Sequence, residues 1–319
     1  MRTARRLCAG ACAALLAVTI GPVQAPAAER DKPNQALIAF SRFDPAQESF
    51  ALFRARPDGS HRKRMTAFPA FFPDWAPDRS RLAFDFTDEE GNEQVGVVRR
   101  DGSRFRQLTD LPGISEVARF SPDGETLVFD RSPLFPDDPA FFTSLWVMVA
   151  DGSHPRPLFD PDPAKFDVEP QFSPNGKRIV FARLRMVGSV QYSAVFVVGA
   201  NGRGERRVTR FTNGLEHPRW SPDGRHIIFG VDILSAPTDP NGGIWRVRAN
   251  GTGLEQLLPG DSPIFGFKPG YSPNGKRILF GCFINAQEQD DLCVMRADGS
   301  HVKNITRTPN IDENYPVWD

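Results

Sequence analysis

The sequence has no excess of charge: 39 Lys plus Arg stand against 39 Asp plus Glu. A balanced chain offers no broad basic field to a phosphate backbone, so nucleic acid is not an expected partner. Cysteine is scarce, at four, and two of these, Cys8 and Cys12, lie close to the N-terminus, which leaves no second ligand pair for a structural zinc. Long apolar runs are missing beyond the start of the chain. The stretch from Leu7 to about Gly21 is shorter than the roughly 20 residues a bilayer-spanning helix needs. Also absent are a Gly-x-Ser-x-Gly elbow, a His-Glu-x-x-His pair and a phosphate loop, so the common hydrolase and nucleotide chemistries have no motif here. Turn formers, by contrast, are plentiful, with 27 Gly and 29 Pro.

Arg2, Arg5 and Arg6 precede the apolar stretch, and Ala25-Pro26-Ala27-Ala28 follows it before charge returns at Glu29. This is the layout of a cleaved secretory signal over residues 1–28. Residues 29–35 read as a short polar lead. Export leaves Cys282 and Cys293 as the cysteine pair of the mature chain. In an oxidising compartment they are expected to bridge, across a hairpin of strands over 278–284 and 291–297.

The rest of the chain repeats. A short apolar run ending in Phe closes at Phe40, Phe84, Phe129, Phe181, Phe229 and Phe280, in steps of 44 to 52 residues. Five runs follow an aromatic and a Pro turn: Trp75-Ala76-Pro77-Asp78, Phe120-Ser121-Pro122-Asp123-Gly124, Phe172-Ser173-Pro174-Asn175-Gly176, Trp220-Ser221-Pro222-Asp223-Gly224 and Tyr271-Ser272-Pro273-Asn274-Gly275. Downstream of each run stands an Asp-Gly or Asn-Gly turn, at Asp58, Asp101, Asp151, Asn201, Asn250 and Asp298. Asx-Gly between apolar segments is the strongest short-range hairpin signal. Each unit therefore reads as four strands. Units of this length without helical periodicity predict an all-β, six-bladed β-propeller of four-stranded blades over residues 36–319. Glu313 to Trp318 matches the first strand of the other units. It is expected to complete the N-terminal blade, closing the ring by pairing the N- and C-terminal strands.

The aromatic-Ser-Pro-Asp-Gly turn, the run ending in Phe and the later Asp-Gly-Ser turn together resemble the TolB-type, or PD40 (WD40-like), β-propeller repeat. Arg79 in place of the turn Gly, Ala76 in place of Ser, and Asn201 and Asn250 in place of Asp depart from it. The resemblance covers the propeller and not the α/β domain that precedes it in TolB. It implies a propeller that binds a protein.

In a propeller the loops entering the first strands form the mouth of the central channel. Aligned on Pro73, Pro170, Pro218, Pro269 and Pro316, the mouth position holds Phe72, Val117, Glu169, His217, Lys268 and Tyr315, preceded by Phe71, Glu116, Val168, Glu216, Phe267 and Asn314. These positions vary while the turn positions do not. The candidate binding residues are Phe71, Phe72, Glu116, Asp167, Glu169, Glu216, His217, Lys268, Glu313 and Tyr315. A binding or scaffold function without catalysis or cofactor is expected, with a protein or peptide of the cell envelope or extracellular space as partner and a monomeric, periplasmic or secreted chain. The alternative is a polymer lyase or hydrolase using the carboxylates and His217 as acid, base or ligands to a hard cation, or a glycan-binding protein.

Overall fold

A computed structural model describes residues 36–319 except 134, 136–137, 139–140, 189, 233–238 and 285–288. The expected signal and polar lead lie outside the described residues, as does part of the loop between the two cysteine strands. Among the described residues there is no helix, and every repeat folds as an antiparallel meander. In the third repeat, for example, Ile114–Phe120, Thr126–Ser132, Ser144–Val149 and Arg156–Pro157 pair in sequence. Glu313–Trp318 pairs antiparallel with Ile38–Asp44, so the last strand of the chain stands beside the first. The fold is an all-β propeller.

The sheets are not six separate ones. Main-chain hydrogen bonding gives five, because the second and third repeats merge into one eight-stranded sheet. The cause is local: Glu93, opening the third strand of the second repeat, makes a parallel bridge to Ile114, opening the first strand of the next. Gly113 makes room for this approach, with φ of 90° and space for no Cβ, which would lie 2.4 Å from the Ser132 carbonyl oxygen.

The repeated residues account for the packing. The Phe that ends each apolar run is buried, five of the six completely. Burying such a ring contributes about 1.5–3 kcal/mol. Six apolar clusters form, each drawn from two neighbouring repeats. The last joins Ile38, Phe40 and Ala55 of the first repeat to Leu279, Leu292 and Ile305 of the sixth. Trp75 and Trp220 belong to these interfaces, and Trp146, Trp245 and Trp318 pack against them.

The turns are held by their own side chains. Ser121 Oγ donates to Asp123 Oδ1 and accepts from the Thr126 N–H, and the same pattern recurs at Ser173, Ser221 and Ser272. Arg79, standing where sister turns have Gly, takes the glycine conformation, with φ of 59°.

Cys282 and Cys293 are bridged, with Cα atoms 5.9 Å apart. They are not directly opposed. The register sets Cys282 against Asp291 and Cys293 against Phe280, so the bridge runs diagonally over a two-residue offset, past the Gly281–Leu292 rung, within the span a disulfide accepts.

Candidate functional site

All six residues aligned at the mouth position share one unusual backbone conformation. Phe72, Val117, Glu169, His217, Lys268 and Tyr315 have φ between 49° and 58°. A side chain in this left-handed region costs about 1 kcal/mol or more. At this point each first strand slips register against its neighbour, making a β-bulge. A bulge turns a side chain out of the regular alternation. Here it accompanies the convergence of residues from five of the six repeats.

Five of those six side chains meet. The rings of Phe72 and Tyr315 lie 4.1 Å apart between centroids. His217 stacks on Phe72 at 6.0 Å with 14° between the planes and lies 5.9 Å from Tyr315. Its Nδ1 is 2.9 Å from Glu169 Oε1 and 3.6 Å from Glu216 Oε2, and its main-chain N–H donates to Glu169 Oε2. Lys268 Nζ sits 3.7 Å from the Tyr315 ring centroid and donates to Asn314 Oδ1 at 3.3 Å. Both ring nitrogens of His217 and Glu216 Oε1 are buried with no hydrogen bond of good geometry, so the His217–Glu169 side-chain contact is one of proximity.

Charge is arranged to match. Burial would raise the Glu169 carboxyl, but the nearby His217, whose main-chain N–H donates to it, and Arg219 hold it below the usual range. Burial pushes the Tyr315 phenol up, against the pull of Lys268. Burial works to lower Lys268 and is outweighed by Tyr315 and Glu216, so the ammonium is favoured. One layer deeper, the buried Arg119 donates to the carbonyls of Phe72 and Pro73 and lies 3.7 Å from Asp74. Arg219 is depressed to about 9 by burial and by Arg119.

The structure thus gathers Phe72, Glu169, Glu216, His217, Lys268 and Tyr315. Other expected site residues stand apart. Asp167 forms a two-pronged ion pair with Arg183, its cross-strand neighbour, at 2.6 and 2.8 Å. Glu313 is buried against Arg42, likewise directly across its ladder. Both act within their own repeat and do not converge on the centre. Phe71 packs on Phe50 at 5.6 Å.

Two further residues belong with the site. Asp85 and Asp130 directly follow the Phe of their runs, where the other repeats carry Ser41, Ala182, Gly230 and Gly281. Asp85 is fully buried and accepts from the Val117 N–H at 2.8 Å; Asp130, 2% exposed, stands opposite Glu116. Reading the residue after each Phe across the repeats would have found them. Burial, then the neighbouring Glu93 and Glu169 carboxylates, raises Glu116 to about 8. Burial raises Glu93 to about 7. Asp85 and Asp130 are pushed well above the carboxylate range, first by burial and then by Glu116.

Bulged first strands that bring five side chains to a mixed aromatic and charged cluster define this chain as an all-β propeller. The propeller is TolB-like. Over 104 residues the chain is 33% identical to the Tol-Pal system protein TolB of Anaeromyxobacter dehalogenans, a match covering 33% of this chain and 21% of that one. It is 25% identical over 240 residues to the uncharacterized protein Atu1656 of Agrobacterium fabrum, covering 73% and 74% of the two chains. The crystal structure of TolB from Acinetobacter baumannii superposes with a TM-score of 0.71 at 19% identity, over 89% of this chain and 66% of that one. An oligogalacturonate lyase in complex with manganese shares the fold at a TM-score of 0.55 and 13% identity, over 84% of this chain and 72% of its own. No family profile matches the chain.

Proposed function

We propose that the chain is an exported, six-bladed β-propeller that recognises a protein or peptide partner at its channel mouth and carries no activity of its own. Six blades are supported by the six meanders and the six inter-repeat cores. Closure of the ring is supported by the pairing of Glu313–Trp318 with Ile38–Asp44 and by the cluster joining the sixth repeat to the first. Removal of residues 1–28 by a signal peptidase and residence in the periplasm or medium fit the N-terminal pattern and the Cys282–Cys293 bridge.

The observation that carries the reading is the meeting of Phe72, His217, Lys268 and Tyr315 from four repeats at one bulged position. Stacked aromatics beside buried charged groups are the composition of a protein-recognition hot spot. The similarity to TolB over 104 residues points the same way. The test is affinity capture from envelope and secreted fractions, comparing the mature chain with Phe72→Ala/Tyr315→Ala, each with its folding checked. A partner retained by the first and lost by the second supports recognition at the mouth; equal capture contradicts it.

A second reading rests on the Glu169–His217 pair at 2.9 Å beside Glu116 raised to about 8. This is a pairing of the kind used in general acid–base catalysis, and polymer lyases occur on the same fold. Turnover of an acidic polysaccharide, abolished by His217→Ala, would favour it.

A further inference from the structure

The scaffold does not require the acidic group on one side of the mouth. Four repeats place Ser41, Ala182, Gly230 or Gly281 after the Phe and fold alike, while the second and third place Asp85 and Asp130 there. Both side chains are more than nine-tenths buried, and Oδ1 of each lacks any hydrogen-bond partner. Glu116 stands across the ladder from Asp130, and the Glu93–Ile114 bridge brings Glu93 alongside. Asp85, Glu93, Glu116 and Asp130 act on one another, Glu169 bears on Glu116 and Asp130, and the cation facing the group is Arg119, already committed to Phe72, Pro73 and Asp74. Arg119 keeps its Nε unbonded, and its charge offsets Asp85 in part; buried carboxyls with vacant acceptors are costly unless a ligand completes them.

We propose that Asp85, Glu116 and Asp130 form a subsite for a primary ammonium group carried by the partner recognised at the mouth. The inference rests on the recognition reading and specifies what that site takes. An ammonium brings three donors and no acceptor, matching acceptors that lack donors. The same mouth already houses one such group, Lys268, against the Tyr315 ring and Asn314 Oδ1. Binding requires the carboxyls to ionise, so it releases protons and strengthens as pH rises.

The test is titration calorimetry on the mature chain with three probes. N-acetyl-lysine amide offers a side-chain ammonium, trialanine amide offers a chain-terminal one, and N-acetyl-Nε-acetyl-lysine amide offers none. Saturable binding of either ammonium probe is expected, about tenfold tighter at about pH 8 than at about pH 6, with no binding of the acetylated control. The preferred arm identifies the source of the ammonium. Asp85→Ser/Asp130→Ala, which borrows the residues of sister repeats, should lose the binding and melt no lower than wild type. Independently of any variant, repeating the wild-type titration at about pH 7 in two buffers of different ionisation enthalpy should reveal proton release. Absence of ammonium binding, equal binding of the acetylated probe, retention by the folded double variant or absence of proton release would each overturn the proposal. A partner captured equally by Asp85→Ser/Asp130→Ala but lost by Phe72→Ala/Tyr315→Ala would sink the ammonium subsite alone and leave recognition at the mouth standing.

Discussion

Phe72 of the second repeat and His217 of the fifth stack on each other, 6.0 Å between ring centroids and 14° between planes. The two repeats are separated by two others along the chain, so this contact joins repeats that are not neighbours in sequence. Both residues hold φ near 50°, and the bulge they share brings them within reach. The contact also draws in Glu169, through the main chain and ring of His217.

Glu169→Ala should therefore destabilise the fold by about 1–3 kcal/mol, because it leaves the His217 main-chain N–H without its acceptor. Urea unfolding of the single variant checks this. Wild-type stability would show that solvent replaces the carboxylate at no cost.

Arg79→Gly should stabilise the chain by about 1 kcal/mol, since Arg79 sits at φ of 59° without the freedom of glycine. The gain is read from the same urea midpoint. A loss would mean that the Arg79 side chain contributes more than its backbone costs.

Removing the bridge by Cys282→Ala/Cys293→Ala should lower stability by about 2–4 kcal/mol through the released chain entropy of the unfolded state. Thermal melts with and without reductant should show the same difference in the wild type and none in the double variant.

The acidic group sets a pH dependence of definite sign. Glu116 at about 8 and Glu93 at about 7 bind protons in the native chain that their unfolded counterparts release near pH 4.5. Between these limits the native state holds more protons than the unfolded one, so its stability falls as pH rises from about 5 to about 8. The lowered Glu169 acts in the opposite sense, at more acidic pH. Unfolding free energies measured across that range should decline in the wild type and decline less steeply in Asp85→Ser/Asp130→Ala, which removes two buried carboxyls that are themselves raised well above the usual range and leaves Glu116 and Glu93 in place.

Much of the fold was legible because the repeat spells out its turns. Phe40 to Phe280 and the Ser-Pro-Asx turns identify strands and register without any tertiary information, and alignment on Pro73 and its equivalents found the residues that the backbone later places in one conformation. Four features were not legible. The merger of two repeats depends on the single Glu93–Ile114 bridge, and a one-residue contact leaves no periodic trace. The diagonal bridge depends on a register that the spacing of Cys282 and Cys293 leaves open by two residues. Asp167 and Glu313 looked convergent because they lie on first strands, yet each is taken by the arginine directly across its ladder, Arg183 or Arg42. Asp85 and Asp130 escaped notice because they lie on second strands, away from the Pro used for alignment.

The central claim is that partners dock where Phe72 and Tyr315 meet. Photo-crosslinking tests it most directly, with p-benzoylphenylalanine placed at Phe72 and, as a control, at the exposed Leu254 on the connection between the third and fourth strands of the fifth repeat. A protein adduct from position 72 in the native envelope and none from position 254 is the predicted result. Adducts from position 254 alone would contradict recognition at the mouth.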